Sequence, residues 1–370
     1  MRFYPLIRPI LFGCDAEDTH NRTLALAERL GKRGWGRRAL RGLFAVDEPR
    51  LATRVAGLDF SNPVGLAAGF DKNGRAAPAL AAMGFGFVEV GSVSALPSAG
   101  NPRPRLFRLP RDEAVVVNYG VPNEGAAAVA ARLESASLAA PLGVNLVETN
   151  TGRPAEPDHV VDEFAAAALP FVGLADYIAL NLNCPNTSGG VSPFADMGRL
   201  AELLRRYAEV EAMPPVFLKF TVHADPARIE AFLQAVDPFP QVKGFVFNLP
   251  PGKGYPLSTP DTVTDAMPGT LCGRPVRDTV DRAISAWYGR MDHARHALVG
   301  TGGIASAEDA YAKIRRGASL VQLYSALVFR GPGLLRRINR GLARLLERDG
   351  FETVAQAVGA DHRAKNSAAE

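Results

Sequence analysis

The chain has 370 residues, of which 47% are hydrophobic and 22% charged, and a net charge of +4. This composition suits one large globular domain or two modest ones and excludes a disordered chain. Three cysteines far apart in sequence (Cys14, Cys184, Cys272) make neither a disulfide framework nor a zinc cluster and point to a reducing compartment; no apolar run approaches the ~20 residues of a membrane-spanning helix, and no secretory signal is evident.

In chain order, the first element is a basic, apolar N-terminal segment. Residues 1–54 carry eleven Arg and Lys against six acids, so the remainder of the chain is close to neutral. Phe3, Tyr4, Leu6, Ile7, Ile10, Leu11 and Phe12 form one apolar cluster, and Leu24, Leu26, Ala27 and Leu30 suggest a second amphipathic helix. Apolar side chains beside a basic girdle suit the interface of an anionic bilayer. A helical hairpin packed on the main domain fits the same residues. Nucleic acid is disfavoured, because the basic residues lack interleaved aromatics and any binding motif.

From residue 55 to 350 short apolar runs alternate with helical patterns. The runs are 64–70, 85–93, 142–146, 177–182, 216–221, 244–249, 297–301 and 320–325. Helix-like segments lie near 73–83, 123–139, 158–170, 196–212, 226–236, 277–294, 306–316 and 332–348. Apolar strands separated by helices mean a parallel sheet, and eight such units predict a (β/α)8 barrel. Residues 94–121 and 250–276 are too long for simple turns and are expected to be lids or site walls. The last segment, 351–370, is expected to be a partly disordered tail.

The chemistry clusters at the predicted strand ends. The run Tyr177 to Leu182 leads into Asn181-Leu-Asn-Cys-Pro-Asn-Thr187, which surrounds one thiol with carboxamides. A thiol in that setting, without metal-ligand spacing, suits proton transfer. Lys219 lies inside the apolar run Val216 to Phe220 and needs an anionic or carbonyl partner. Lys72 follows the first strand and could face the same cavity. Glycines at 300, 302 and 303, with Ser306 as a helix cap, follow the seventh strand; Gln322 to Ser325 ends the eighth. Those two loops are the usual phosphate site of this fold. A phosphate cradle, a cation and amide-rich strand ends together suit FMN.

At this point the chain resembles the quinone-linked, membrane-associated class 2 dihydroorotate dehydrogenases. The resemblance is carried by Phe3-Tyr4, Asp15 to His20, Asn62 to Lys72, Gly84 to Gly86, Glu89 to Ser92, Asn101 to Leu109, Gly143 to Leu146, Pro185 to Thr187, Gly273 to Pro275 and Gly317 to Ser325. It implies a barrel with FMN at its mouth and a two-helix N-terminal cap, residues 1–54, that sits on an anionic membrane surface and admits quinone. It places the protein peripherally on the cytoplasmic face of the cell membrane. By motif position, FMN contacts fall on Ala68, Gly69, Lys72, Ser92, Asn145, Asn181, Lys219, Gly273, Gly302, Gly303, Tyr324 and Ser325. Substrate contacts fall on Lys72, Asn118, Asn181, Asn186 and Asn248, and quinone contacts on His20 and Arg108.

The substrate side departs from the class 2 pattern. Cys184 stands where that class has serine and the soluble class 1 has cysteine. An Asn-Arg-x-Gly-Phe-Asn motif aligns with Val117 to Pro122, losing the substrate asparagine unless a one-residue slip lets Asn118 serve. Phe247 replaces a threonine, Asn248-Leu249 replaces Asn-Thr, and Val147-Glu148 replaces Gly-Lys. The expected reaction is oxidation of a C–C bond beside a carbonyl, dihydroorotate to orotate, with Cys184 as base and Lys219 stabilising the reduced flavin. The alternative is a related flavoprotein dehydrogenase or reductase acting on a different amide, lactam or enone. A non-catalytic flavin-binding or membrane-associated protein is the reading from another class. Cys272 is expected to be a packing or backbone-contact residue, and His159, His223, His293 and His296 are expected at the surface without a role.

Overall fold

The computed structural model describes residues 4–153, 156, 159–187, 192–248 and 252–367. Eight parallel strands close a barrel in chain order: Val64–Leu66, Phe87–Val93, Leu142–Leu146, Tyr177–Asn181, Val216–Thr221, Val242–Asn248, Ala297–Gly300 and Ala318–Leu323. The (β/α)8 expectation holds, and each strand falls on the apolar run that predicted it. Each is buried along nearly its whole length, between the barrel interior and the helical ring.

Space inside the barrel is shared between glycines and rings. A Cβ on Gly65 would meet the Phe87 ring at 2.3 Å, one on Gly143 the Tyr177 ring at 2.1 Å, and one on Gly244 the Phe217 ring at 2.6 Å. Small residues on one strand therefore admit the aromatic side chains of the next. A hairpin, Thr53–Val55 with Leu58–Phe60, seals the bottom, and its Val55 and Phe60 pack with Phe87, Tyr177, Phe217, Val246, Val299 and Leu320. Its two-residue turn, Ala56-Gly57, has φ of +54° and +83°, the conformation that matches the twist of a tight hairpin.

The N-terminal segment differs from the two-helix expectation. It forms three helices, Tyr4–Phe12, Ala16–Gly31 and Gly34–Phe44. Asp15 caps the second, its carboxylate accepting from the Asp18 N–H at 2.9 Å. Gly31 permits close packing on the barrel, since a Cβ there would lie 2.8 Å from the Ala79 nitrogen. Glu17 binds Arg103 and Arg105, at 2.9 and 2.8 Å, and ties the cap to the insertion after the second strand. No helix among the described residues is long and apolar enough to cross a membrane.

The two long insertions meet in space. Leu106–Leu109 and Ala114–Val117 from the first, with Thr270–Gly273 from the second, form a three-stranded antiparallel sheet with Ala114–Val117 in the centre. The segment after 350 carries two short helices, Val354–Ala357 and Ala360–Ser367. Two histidines also depart from the surface reading. His296 is buried, its ring 5.0 Å from that of Phe245, and His223 is half-buried against Trp287.

Candidate active site

A cleft with about 1340 Å³ of space, open solvent included, lies at the C-terminal mouth of the barrel. It is lined by residues from the strand ends and by the three-stranded sheet above them. Among the expected site residues, Ala68, Gly69, Lys72, Ser92, Asn181, Cys184, Asn186, Lys219, Asn248, Gly273, Gly302, Gly303, Tyr324 and Ser325 all line it. Four do not. Asn145 sits one layer down, below Ser92. His20 and Arg108 lie in and against the cap. Asn118 turns away: its side-chain oxygen accepts from Asn101 Nδ2 at 3.1 Å, while its neighbours Val117 and Tyr119 face the cleft. The slip that would bring Asn118 into a substrate role is therefore corrected. Leu249 lies outside the described residues.

The floor is a directional chain of hydrogen bonds. Asn248 Nδ2 donates to Asn181 Oδ1 (2.6 Å), Asn181 Nδ2 to Ser92 Oγ (3.2 Å), Ser92 Oγ to Asn145 Oδ1 (2.5 Å), and Asn145 Nδ2 to Glu89 Oε1 (3.0 Å). Glu89 also accepts from the Tyr177 hydroxyl (3.0 Å) and Gln322 Nε2 (2.7 Å), and Lys219 Nζ lies 3.9 Å from it. Lys219 thus has the buried carboxylate partner that its strand position demands, while still facing the cleft. Sequence reasoning missed Glu89. The signal was present, because a carboxylate inside the apolar run Phe87 to Val93 needs a partner as much as Lys219 does.

Cys184 occupies the loop that follows the fourth strand. Burial pushes its thiol up to about 11, and Glu148 adds to this; backbone N–H groups of Asn186 and Thr187, together with Lys219, favour the thiolate. Cys272 is more than a packing residue, because it lines the same cleft, and burial pushes its thiol up to about 12. Lys72 donates to the Gly69 carbonyl at 2.9 Å and sits 3.8 Å from the Tyr119 ring centroid. Burial pulls its ammonium down to about 8.

The cleft's own unmet bonds test the fit of FMN. No described residue accepts from the N–H groups of Gly302 or Gly303, both at positive φ (+71° and +73°), which suits a phosphate lying against the backbone. Tyr119 Oη, Asn186 Oδ1, Thr270 Oγ1 and Gln322 Oε1 are buried without a hydrogen-bond partner among the described residues. Buried polar groups of this kind are normally paired, so the cleft offers both donors and acceptors to a polar ligand, and its residues fit the cofactor.

The cap approaches this cleft through aromatic rings. His20 meets Phe70 edge-on at 5.1 Å, and Phe70 meets Tyr324 at 5.5 Å. Burial and the nearby Lys72 pull the His20 imidazole down to about 3, so it is neutral. The Arg108 guanidinium caps the first helix, donating to the carbonyls of Leu11 (2.9 Å), Phe12 (3.3 Å) and Cys14, with its Cζ 4.7 Å from the Phe12 ring centroid.

Comparison with known proteins places these features in context. The family model described as Dihydroorotate dehydrogenase matches residues 50–346. A protein of Sphingopyxis alaskensis named Dihydroorotate dehydrogenase (quinone) is 40% identical over 96% of both chains. One of Halobacterium salinarum with the same name is 42% identical over 97% of this chain and 99% of its own. Among solved structures, Eimeria tenella DHODH in complex with ferulenol superposes with a TM-score of 0.79 at 28% identity, covering 94% of this chain and 96% of that one.

Proposed function

This chain belongs to the dihydroorotate dehydrogenase family, and we propose that it oxidises dihydroorotate to orotate with a quinone as electron acceptor. The observation that carries this reading is the presence, in one cleft, of Cys184, Lys72, the three asparagines 181, 186 and 248, Lys219 and the Gly302-Gly303 cradle.

FMN bound here would accept a hydride and pass electrons onward. Gly302, Gly303 and the start of the helix Ser325–Arg330 would hold its phosphate. Lys219 would place a positive charge where negative charge develops on reduction. On the substrate side, the Asn248 amide spends its Nδ2 on Asn181 and the Asn183 carbonyl. Among the described residues none donates to its oxygen or to Asn186 Oδ1, which leaves both as acceptors for a ligand. Two carbonyl acceptors suit the two ring N–H groups of a dihydropyrimidine, and the Lys72 ammonium suits its carboxylate. Cys184 takes the proton from the carbon beside the carbonyl while hydride leaves the adjacent carbon. The Asn186 and Thr187 N–H groups stabilise the sulfur in its charged form.

Orotate affinity should report on Lys72. The ammonium is present below its lowered value of about 8 and absent above it, so binding is full at neutral pH. Above about 8 the dissociation constant should rise roughly tenfold per pH unit, because only the protonated lysine pairs with the carboxylate. A flat profile between pH 7 and 10, followed through the flavin spectrum, would contradict this role.

The reaction itself is tested by anaerobic titration. The purified protein should be yellow, be bleached by stoichiometric dihydroorotate, and recover its colour on addition of a ubiquinone analogue. Bleaching only by other amides, lactams or enones would favour the alternative substrate class, which the apolar Val117 and Phe247 in the cleft wall suit.

The cap carries the proposed membrane contact. Leu6, Ile10, Leu26, Trp35 and Leu43 are all at least half exposed, in a segment rich in Arg and Lys. This supports peripheral binding to an anionic surface, on the cytoplasmic face of the cell membrane, with quinone entering past His20 and Arg108. In vesicle flotation, the wild type should float with anionic vesicles, and a Leu6→Ser, Ile10→Ser double variant should remain in the soluble fraction.

A further inference from the structure

Tyr119 lies in the roof of the cleft beside the proposed substrate lysine. It is buried and lines the cleft, and Lys72 Nζ stands 3.8 Å from its ring centroid. The same ring has Arg105 Cζ at 5.5 Å. The backbone of this residue is fixed as well. The Tyr119 carbonyl accepts from the Asn101 N–H (2.9 Å), and the neighbouring Asn118 N–H donates to the Arg105 carbonyl (2.8 Å).

Arg105 leads on to the cap. Its guanidinium meets the Glu17 carboxylate through Nη2 at 2.8 Å and Nε at 3.1 Å, while Nη1 donates to the carbonyls of Ala99 (2.7 Å) and Asn101 (2.8 Å). The Arg105 and Glu17 side chains are only 13% and 9% exposed, so salt and water screen this pair far less than a surface one. Burial works against the Glu17 carboxylate, but Arg105 and Arg103 outweigh it and hold the group below the usual range. An unbroken run of contacts thus joins the first turn of the second cap helix to Lys72.

Lysine has three protons to donate. One goes to the Gly69 carbonyl at 2.9 Å, and the aromatic face attracts the ammonium without taking a directional bond. The charged groups facing Lys72 are Glu17 and Asp71, which favour the ammonium, and Arg105, which opposes it; Glu17 is the strongest of the three. His20, on the same cap helix, is neutral. Asp71 is turned to its own loop, where it accepts from the N–H groups of Arg75 (2.9 Å) and Ala76 (2.7 Å). The cap therefore supplies the main counter-charge, and Tyr119 the surface, for the cation that meets substrate.

We propose that Tyr119 is the positioning residue for Lys72, and that through Arg105 and Glu17 it makes substrate binding depend on the cap being seated. The inference rests on Lys72 meeting the substrate carboxylate, and it extends that reading by giving the cap a hold on the substrate site. Lifting the cap withdraws Glu17 and leaves Arg105 as an unbalanced cation beside Lys72, so affinity for the carboxylate falls. By reciprocity, a bound carboxylate favours the seated cap.

The test is orotate titration of the FMN-loaded enzyme, read from the flavin spectrum between pH 6 and 10, with Tyr119→Leu, Tyr119→Phe and Glu17→Gln. In the wild type the dissociation constant should be flat up to about 8 and rise above it. Tyr119→Leu removes the ring face and should move this bend down by about one pH unit, the scale of a desolvated cation–π contact. At pH 8 orotate should then bind roughly fivefold more weakly than to the wild type, a deficit that closes towards pH 6. Glu17→Gln should move the bend down by about half a pH unit or more, although residue 17 does not line the cleft. Tyr119→Phe keeps the ring and should bend at the wild-type pH, whatever the hydroxyl adds to affinity throughout.

A Tyr119→Leu profile parallel to the wild type would make the ring simple filling and overturn its role. A Tyr119→Phe bend displaced like that of Tyr119→Leu would assign the effect to the hydroxyl and overturn it likewise. A Glu17→Gln bend at the wild-type pH would overturn the link to the cap, and this arm reads independently should Tyr119→Leu fail to fold or to hold FMN. A wild-type profile without any bend would instead sink the role of Lys72 itself, and this inference with it.

Discussion

Replacing Cys184 with alanine should leave FMN bound and remove substrate-driven bleaching, with the reductive rate falling at least 10³-fold. The thiol lines the cleft but takes no part in the hydrogen-bond chain that joins Asn248, Asn181, Ser92, Asn145 and Glu89. Its loss therefore removes the base and leaves the floor intact. General-base contributions are typically 10²–10⁴-fold, and the nearest other thiol, Cys272, is held near 12 by burial. Stopped-flow absorbance of the anaerobic enzyme measures the rate directly, and FMN content by absorbance confirms that the site survives. Bleaching within tenfold of the wild type would remove the sulfur from the mechanism.

The second large effect is expected from Lys219→Met, which should damage both stability and cofactor retention. Glu89 is fully buried, and Lys219 is the cation that balances it. Three neutral donors remain after the substitution, but a buried carboxylate without its counter-charge costs about 3–5 kcal/mol. Chemical denaturation of the apoprotein should register a loss of that size, and the variant should purify largely without flavin. A colour and melting temperature equal to wild type would mean that the neutral donors suffice for Glu89 and that the flavin does not need the lysine.

Much of the barrel was legible because its strands are apolar on both faces, a pattern that few other arrangements produce. The site was legible where a residue type contradicts its surroundings: Lys219 in an apolar strand, or three carboxamides crowded around Cys184. Glu89 offered the same contradiction, yet only the fold brings it beside Lys219. Asn118 was misread although the rule was available. Val117 and Tyr119 face the cleft, so the alternation of a strand end turns the residue between them away. The roof sheet was invisible for a different reason. Its strands are four residues long, and Thr270–Gly273 pairs with Ala114–Val117 across some 150 residues of intervening chain. No local pattern encodes such a pairing. The third cap helix was obscured because Gly34 and Gly36 argue against helix until Gly36 is seen packed against Leu30.

That roof also constrains how this protein can change over generations. Val117 is paired on one side with Leu106 and on the other with Thr270, so two distant stretches of the gene share one register. Adding a residue to either stretch would slide the other out of step and turn alternate side chains away from the ligand. Insertions there are viable only in compensated pairs, which makes the ceiling of the cleft slow to drift in length even where its side chains are free to vary.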